Sequence, residues 1–234
     1  MLNPALNPEH LSQAFAGRQR LQIGDFLVTE AADALHACLE RDVPWELAYQ
    51  NGASGASLSK SGFDSMTPDA RATLMQFIQT TARDKFQFLY NTYMMVQAYR
   101  EQRDPQLALH RATEFLNSRS CLDFIEQVTG VGNLKYAKAQ ATRYLPGHFL
   151  KWHDDFQEDA QREIAYVINL TRDWQAHWGG LLQFMDSEGL VIETFTPQFN
   201  TLSLFRVPAA HCVSFVAPFA TRPRLSITGW FLSN

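Results

Sequence analysis

Two imidazoles and one carboxylate are the chemistry this chain can bring together. His153 and Asp155 lie two residues apart in Trp152-His153-Asp154-Asp155, and His211 follows at a distance. Such a set can occupy one face of an octahedral Fe(II) and leave three positions open for substrate and O₂. In an extended chain, side chains at i and i+2 point to the same side, so His153 and Asp155 can converge while Asp154 points away. An isolated His-x-Asp is more often a surface pair than a metal site. Arg224, thirteen positions after His211 (211 to 224), could hold the carboxylate of an organic cosubstrate. Arg suits a buried carboxylate because its planar fork offers two parallel charge-assisted hydrogen bonds.

The segment carrying Arg224 alternates. Arg224, Ser226, Thr228 and Trp230 share one face of a strand, and Leu225, Ile227 and Phe231 share the other. Periodicity leaves two readings open: a polar face toward water, the commoner case, or a polar face lining a pocket inside a barrel. Gln140, Thr142 and Tyr144 repeat the pattern just before Pro146-Gly147. The Tyr144 hydroxyl could add a hydrogen bond to a bound acid, or belong to a core tyrosine with its tip in water.

The elements that must position these residues change character near Gly130. About residues 1–130 read mainly as helical support with edge strands. Leu21–Val28 is a short apolar run, and Thr29 is a candidate N-cap for a helix over 30–41 that carries Ala34, Leu35, Cys38 and Leu39. Residues 44–50 alternate as a strand. The Gly-, Ser- and Ala-rich stretch 51–62 reads as a loop and a candidate substrate flap. Thr67-Pro68 opens a helix with Pro at its first position. The aromatic and Met-rich stretch 85–100 reads as buried helix, and Pro105 opens further helix until Gly130. From about 131 to 234 come short strands punctuated by Gly, Pro and Asn: 135–145, 147–152, 163–170, 180–186, 190–196, 200–206, 212–217 and 223–233. About eight such strands predict a jelly roll. The expected fold is therefore α+β: a double-stranded β-helix core with N-terminal helices packed on one sheet, all in a single domain over 1–234.

Composition sets the limits. With 234 residues, 46% of them hydrophobic, the chain can bury a sizeable core. A net charge of −4, with no Lys/Arg block, argues against a nucleic-acid partner, whose phosphates demand clustered cations. No apolar run approaches the length of a membrane span, and the N-terminus lacks the pattern of a secretion signal. Cys38, Cys121 and Cys212 are odd in number and far apart, which suits reduced thiols and a cytoplasmic location.

The segments YLPGHFLKWHDD, YVINLTRDWQAHWGGLLQF, FNTLSLFRVPAAHCVSFV and RLSITGWF resemble the core of Fe(II)/2-oxoglutarate-dependent dioxygenases, on the prolyl-hydroxylase branch. PWELAYQNG and FQFLYNTY resemble bacterial members more loosely, and RLSITGWF is similar to eukaryotic prolyl dihydroxylases that modify a ribosomal protein. The resemblance implies that His153, Asp155 and His211 bind Fe(II). It also implies that Arg224 and Tyr144 hold the distal carboxylate of 2-oxoglutarate, and that Thr228 and Trp230 line its pocket. Arg222, two residues from Arg224 on the same face, competes for the clamp; the Arg-to-Trp spacing of the family favours Arg224. His177 is expected at the rim or in a structural role, Asp154 toward solvent, Cys212 in packing, and His148 has no assigned role.

The implied reaction consumes 2-oxoglutarate and O₂, releases succinate and CO₂, and hydroxylates a prolyl residue in a protein, with a ribosomal protein one candidate. Ascorbate is a further candidate cofactor, and the protein would act as a monomer or homodimer. Two alternatives keep part of this picture: a small-molecule oxygenase acting on an amino acid or metabolite, and a non-enzymatic metal-binding jelly roll. The spacer between His211 and Arg224 is longer than in hypoxia-sensing prolyl hydroxylases, which leaves the target residue open.

Overall fold

The computed structural model describes residues 1–157 and 161–233. In its N-terminal part, helices α1 (Pro8–Arg18), α2 (Thr29–Arg41), α3 (Lys60–Ser65), α4 (Pro68–Asp84), α5 (Met95–Arg100), α6 (Leu109–Leu116) and α7 (Arg119–Thr129) are interleaved with strands β1 (Arg20–Ile23), β2 (Glu46–Asn51), β3 (Ser54–Ser59) and β4 (Phe88–Tyr93). Strands then dominate: β5 (Tyr136–Tyr144), β6 (Phe149–His153), β7 (Arg162–Asn169), β8 (Leu182–Met185), β9 (Val191–Phe195), β10 (Thr201–Arg206), β11 (His211–Val213) and β12 (Arg224–Leu232). The strand order is β1-β10-β7-β12-β5-β4-β6-β11-β8-β9, with β2 and β3 added beside β4.

This antiparallel sheet folds over on itself as a jelly roll. Ala165 and Val167 of β7 and Phe205 of β10 touch Leu182 and Phe184 of β8, so strands distant in the order face one another. β4 makes the turn between the two halves. Its Asn91–Tyr93 end pairs with β5, and its Phe88–Leu89 end pairs with β6. The opposite parity of the major strands faces the helices. Ile164, Tyr166 and Ile168 of β7, with Leu225, Ile227 and Phe231 of β12, share one core with Leu35 and Leu39 of α2, Leu109 and Leu116 of α6, and Ile125 and Val128 of α7. The spacing of three and four residues on those helices builds the stripe that the sheet covers. The expected α+β jelly roll with helices against one sheet is what the chain forms. Among the described residues no helix is long and apolar enough to cross a membrane.

Three local expectations are corrected. Residues 85–100 are not one helix: Phe88–Tyr93 is the bridging strand β4, and only Met95–Arg100 is helical. The aromatic and β-branched content of FLYNTY favours a pleated surface once β2, β5 and β6 offer it partners. The stretch 51–62 is not a structureless flap. Ser54–Ser59 pairs with β2 through a two-residue turn in which Gly52 takes φ 62°. Backbone pairing supplies what its small side chains cannot. Thr29 is the first residue of α2 rather than its cap, because Val28 is pinned by donating its N–H to Met1 O at 2.9 Å.

Candidate functional site

A cavity of ≈ 320 Å³ opens between the two halves of the roll. That volume suits a small organic ligand. Near its mouth, donor atoms of His153, Asp155 and His211 all lie within 4.8 Å of one another. His153 ends β6 and is the cross-strand partner of His211 on β11. Each ring is oriented by its own backbone: Nδ1 of His153 is 3.0 Å from Lys151 O, and Nδ1 of His211 is 2.7 Å from Ala209 O. With Nδ1 carrying the hydrogen, each Nε2 lone pair faces Asp155, at 3.3 Å for His153 and 3.6 Å for His211.

Asp155 reaches this point by a route that strand alternation did not anticipate. β6 stops at His153, and Asp155 takes a left-handed φ of 63°. Aspartate is one of the few residues that tolerate this region. Asp154 turns to solvent and accepts a hydrogen bond from Phe156 N at 3.0 Å. Burial pushes the Asp155 carboxyl up, but a proton on His153 Nε2, which would donate to the carboxylate, and the positive charge of either protonated imidazole outweigh it, so its pKa is lowered. Burial and the neighbouring His153 bring His211 down to about 4. The carboxylate is thus ionised and the His211 imidazole neutral at neutral pH, the forms that bind a metal. Two nitrogens and a carboxylate with open positions match the donor set Fe(II) prefers.

The deep end of the cavity is built around Arg224. It is 2% exposed, its Nε has no hydrogen-bond partner, and it forms no ion pair among the described residues. Its guanidinium stands 5.0 Å over the Tyr144 ring, which stacks on Tyr90 at 5.2 Å. Burial raises the Tyr144 hydroxyl, keeping it a neutral donor. Gly180 flanks the arginine stem: a Cβ there would meet Trp174, Val216 and Arg224 Cδ within 3.1–3.3 Å, at a φ of 62°. That close approach accounts for Gly180, and a Cβ at Gly179 would strike Phe215 O. A buried cation without a counter-charge is costly, so a carboxylate ligand fits this end. Between the ends, Thr142 and Ser226 pair at 2.8 Å, and Thr228 donates to Tyr166 O at 2.9 Å.

The 2OG-Fe(II) oxygenase superfamily profile matches residues 139–232, from β5 through β12. That stretch is similar to the 2OG-Fe(II) oxygenase superfamily. The Mus musculus protein "Prolyl 3-hydroxylase OGFOD1" is 26% identical over 155 residues, which are 63% of this chain. The chain spans 27% of that relative's length. A Burkholderia pseudomallei oxidoreductase of the 2OG-Fe(II) oxygenase family matches with a TM-score of 0.63 at 14% identity, covering 100% of this chain and 94% of that one. A Trichoplax adhaerens prolyl hydroxylase, solved with a hypoxia inducible factor peptide fragment, matches with a TM-score of 0.61 at 16% identity, covering 97% and 90%. At these identities the two structures establish the shared fold.

The jelly-roll core brings Tyr144, His153, Asp155, His211, Arg224, Thr228 and Trp230 to one cavity. Other residues stay away from it. Arg222 is exposed and pairs with Asp173 at 2.9 Å, His177 is exposed against Phe219, and Cys212 points off the far side of β11 toward Gln183. His148 is buried outside the cavity with an unpartnered Nδ1.

Sequence reasoning missed Arg162 and the aromatic wall of β4. Arg162 lies flat on Trp230 at 3.8 Å and donates from NH1 to the Asp155 main-chain oxygen at 3.1 Å. It therefore braces the left-handed turn that presents the carboxylate. Its position at the start of β7, seven residues after Asp155, was the available signal. Phe88 and Tyr90 were hidden because their segment read as helix.

Proposed function

We propose that this chain is an Fe(II)- and 2-oxoglutarate-dependent dioxygenase that hydroxylates a prolyl residue in a protein. One observation carries the reading: a single cavity holds three metal donors near its mouth and, at its closed end, a buried arginine with no counter-charge among the described residues. His153, Asp155 and His211 would hold Fe(II). Arg224 and Tyr144 would receive the far carboxylate of 2-oxoglutarate, with Thr228 and Trp230 along its side. Bound there, the iron would supply the redox chemistry that couples decarboxylation of the cosubstrate, to succinate and CO₂, with oxygen insertion into a substrate C–H bond.

The protein's own contribution is positioning and exclusion of water. Arg224 orients the cosubstrate from the dry end, where a charge-assisted bond is strongest. The Nδ1 bonds of the two histidines hold their rings, and Arg162 holds the Asp155 turn. One aromatic side chain of the cavity lining is available to a substrate: Phe86 is 41% exposed. A prolyl target, ribosomal or otherwise, is favoured by the prolyl hydroxylases among the relatives. The helices and the roll share one core, which supports reading the chain as one oxygenase unit.

Anaerobic Fe(II) addition followed by 2-oxoglutarate tests the centre: a weak visible charge-transfer band, and succinate once O₂ is admitted, are expected. Absence of both from iron-loaded protein sinks the oxygenase reading. Proteome mass spectrometry with and without the gene then tests the substrate. An oxygen adduct on a proline supports the proposal, while adducts confined to metabolites overturn it in favour of a small-molecule oxygenase.

A further inference from the structure

A second hollow of ≈ 620 Å³ lies beside the metal-bearing cavity, and the two share Gln140 and Trp230 as a common wall. Its floor is the first half of β5, where Tyr136 and Lys138 continue the row that carries Gln140, and α5 flanks it with Val96 and Arg100. Met94 adds apolar surface, at 46% exposure. Lys138 is the cross-strand partner of Trp230, so the trough begins where the metal cavity opens. From Gln140 to Tyr136 a strand advances about 14 Å, the reach of roughly four residues of extended polypeptide.

The charges around this trough are unbalanced. Glu101 is engaged: Arg103 Nε lies at 3.4 Å and Gln97 donates to it at 2.8 Å. Arg100 and Lys138 make no ion pair among the described residues, and both are exposed. Apolar surface from Met94, Val96 and Trp230 beside two uncommitted cations complements a peptide that carries an anionic side chain.

We propose that this trough receives the polypeptide adjoining the hydroxylated residue and selects an acidic side chain two to four residues from it, held between Arg100 and Lys138. The inference rests on the protein-hydroxylase reading above. It gives the substrate a charge as well as a target.

The test uses iron-loaded protein with 2-oxoglutarate, O₂ and short capped peptides bearing one central proline. A single Asp is walked through positions two to four on either side, with Asn and Lys peptides for comparison. Hydroxylation is read by mass spectrometry and cosubstrate consumption by succinate. On one side of the proline, Asp should lower KM about five- to tenfold against Asn, the range two exposed charge pairs supply. In the double variant Arg100→Glu, Lys138→Glu the ranking should invert, with the Lys peptide preferred. A misfolded protein cannot produce that inversion. Equal use of all peptides, or an unchanged ranking in the double variant, overturns the trough alone. Succinate without hydroxylation of any peptide instead overturns the protein-hydroxylase reading, and the trough falls with it.

Discussion

The two faces of β12 are chemically opposite, and both carry fully buried groups, although Thr228 and Trp230 on the cavity face are half-buried. Toward the helices it presents Leu225, Ile227 and Phe231; toward the cavity it presents Arg224, Ser226, Thr228 and Trp230. Ile227 is 0% exposed and Ser226 1%, so burial does not separate them. What separates them is whether each group's partners lie within the protein. On the helix face Leu225, Ile227 and Phe231 pack into the apolar core, whereas Arg224 keeps an unpartnered Nε and forms no ion pair among the described residues. The first face holds the fold together, and the second leaves room for a ligand.

The largest effect should come from the helix face. Phe231→Ala removes a ring tilted against Tyr166 at 4.8 Å and should cost about 3–5 kcal/mol in denaturant unfolding. Cosubstrate affinity per folded molecule should not change; loss of affinity at full stability would erase the distinction. His148 sharpens it from the other direction, because its orphan nitrogen faces no cavity. Burial brings its pKa down to about 4 from 6.5. As pH falls between those values the unfolded chain takes up a proton that the folded chain refuses. Stability is therefore intact above pH 6.5 and falls by about 3 kcal/mol toward pH 4. His148→Gln should flatten that part of the pH–stability curve, and an unchanged curve would contradict the assignment.

On the cavity face, Arg224→Met should raise the 2-oxoglutarate KM about a hundredfold. The ligand-free protein should be no less stable, since an unpaired buried charge is removed. A large drop in its melting temperature would make Arg224 a structural residue. Arg162→Gln should weaken Fe(II) binding about tenfold by calorimetry, as loss of an outer bracing contact does. Unchanged affinity would show that Asp155 holds its turn unaided. The smallest change is expected for Arg222→Ala, whose exposed pair with Asp173 is worth under about 1 kcal/mol. Any effect on the cosubstrate KM would reopen the choice of clamp.

Much of this was legible in the chain. The strands from β5 to β12 alternate strongly and are bounded by Gly, Pro and Asn, so their existence and order followed from local pattern. β4 was not legible, because its pairing partners lie about fifty residues away, at β5, and beyond, at β6. The β2–β3 hairpin was read as a loop for a related reason: main-chain hydrogen bonds hold it, and side-chain composition does not report them.

By itself the sequence determined which residues share a face, since pleating is a local property of the backbone. The resemblance of its motifs to a known family then implied a His, Asp, His and Arg set with Tyr144, Thr228 and Trp230 as companions. Only the tertiary structure decided that the polar face of β12 lines a cavity with Arg224 and Ser226 buried, that Arg224 rather than Arg222 looks into it, and that Asp155 arrives through a left-handed turn braced by Arg162. Those outcomes depend on which strands close over which, and closure is settled by contacts between residues far apart in the chain.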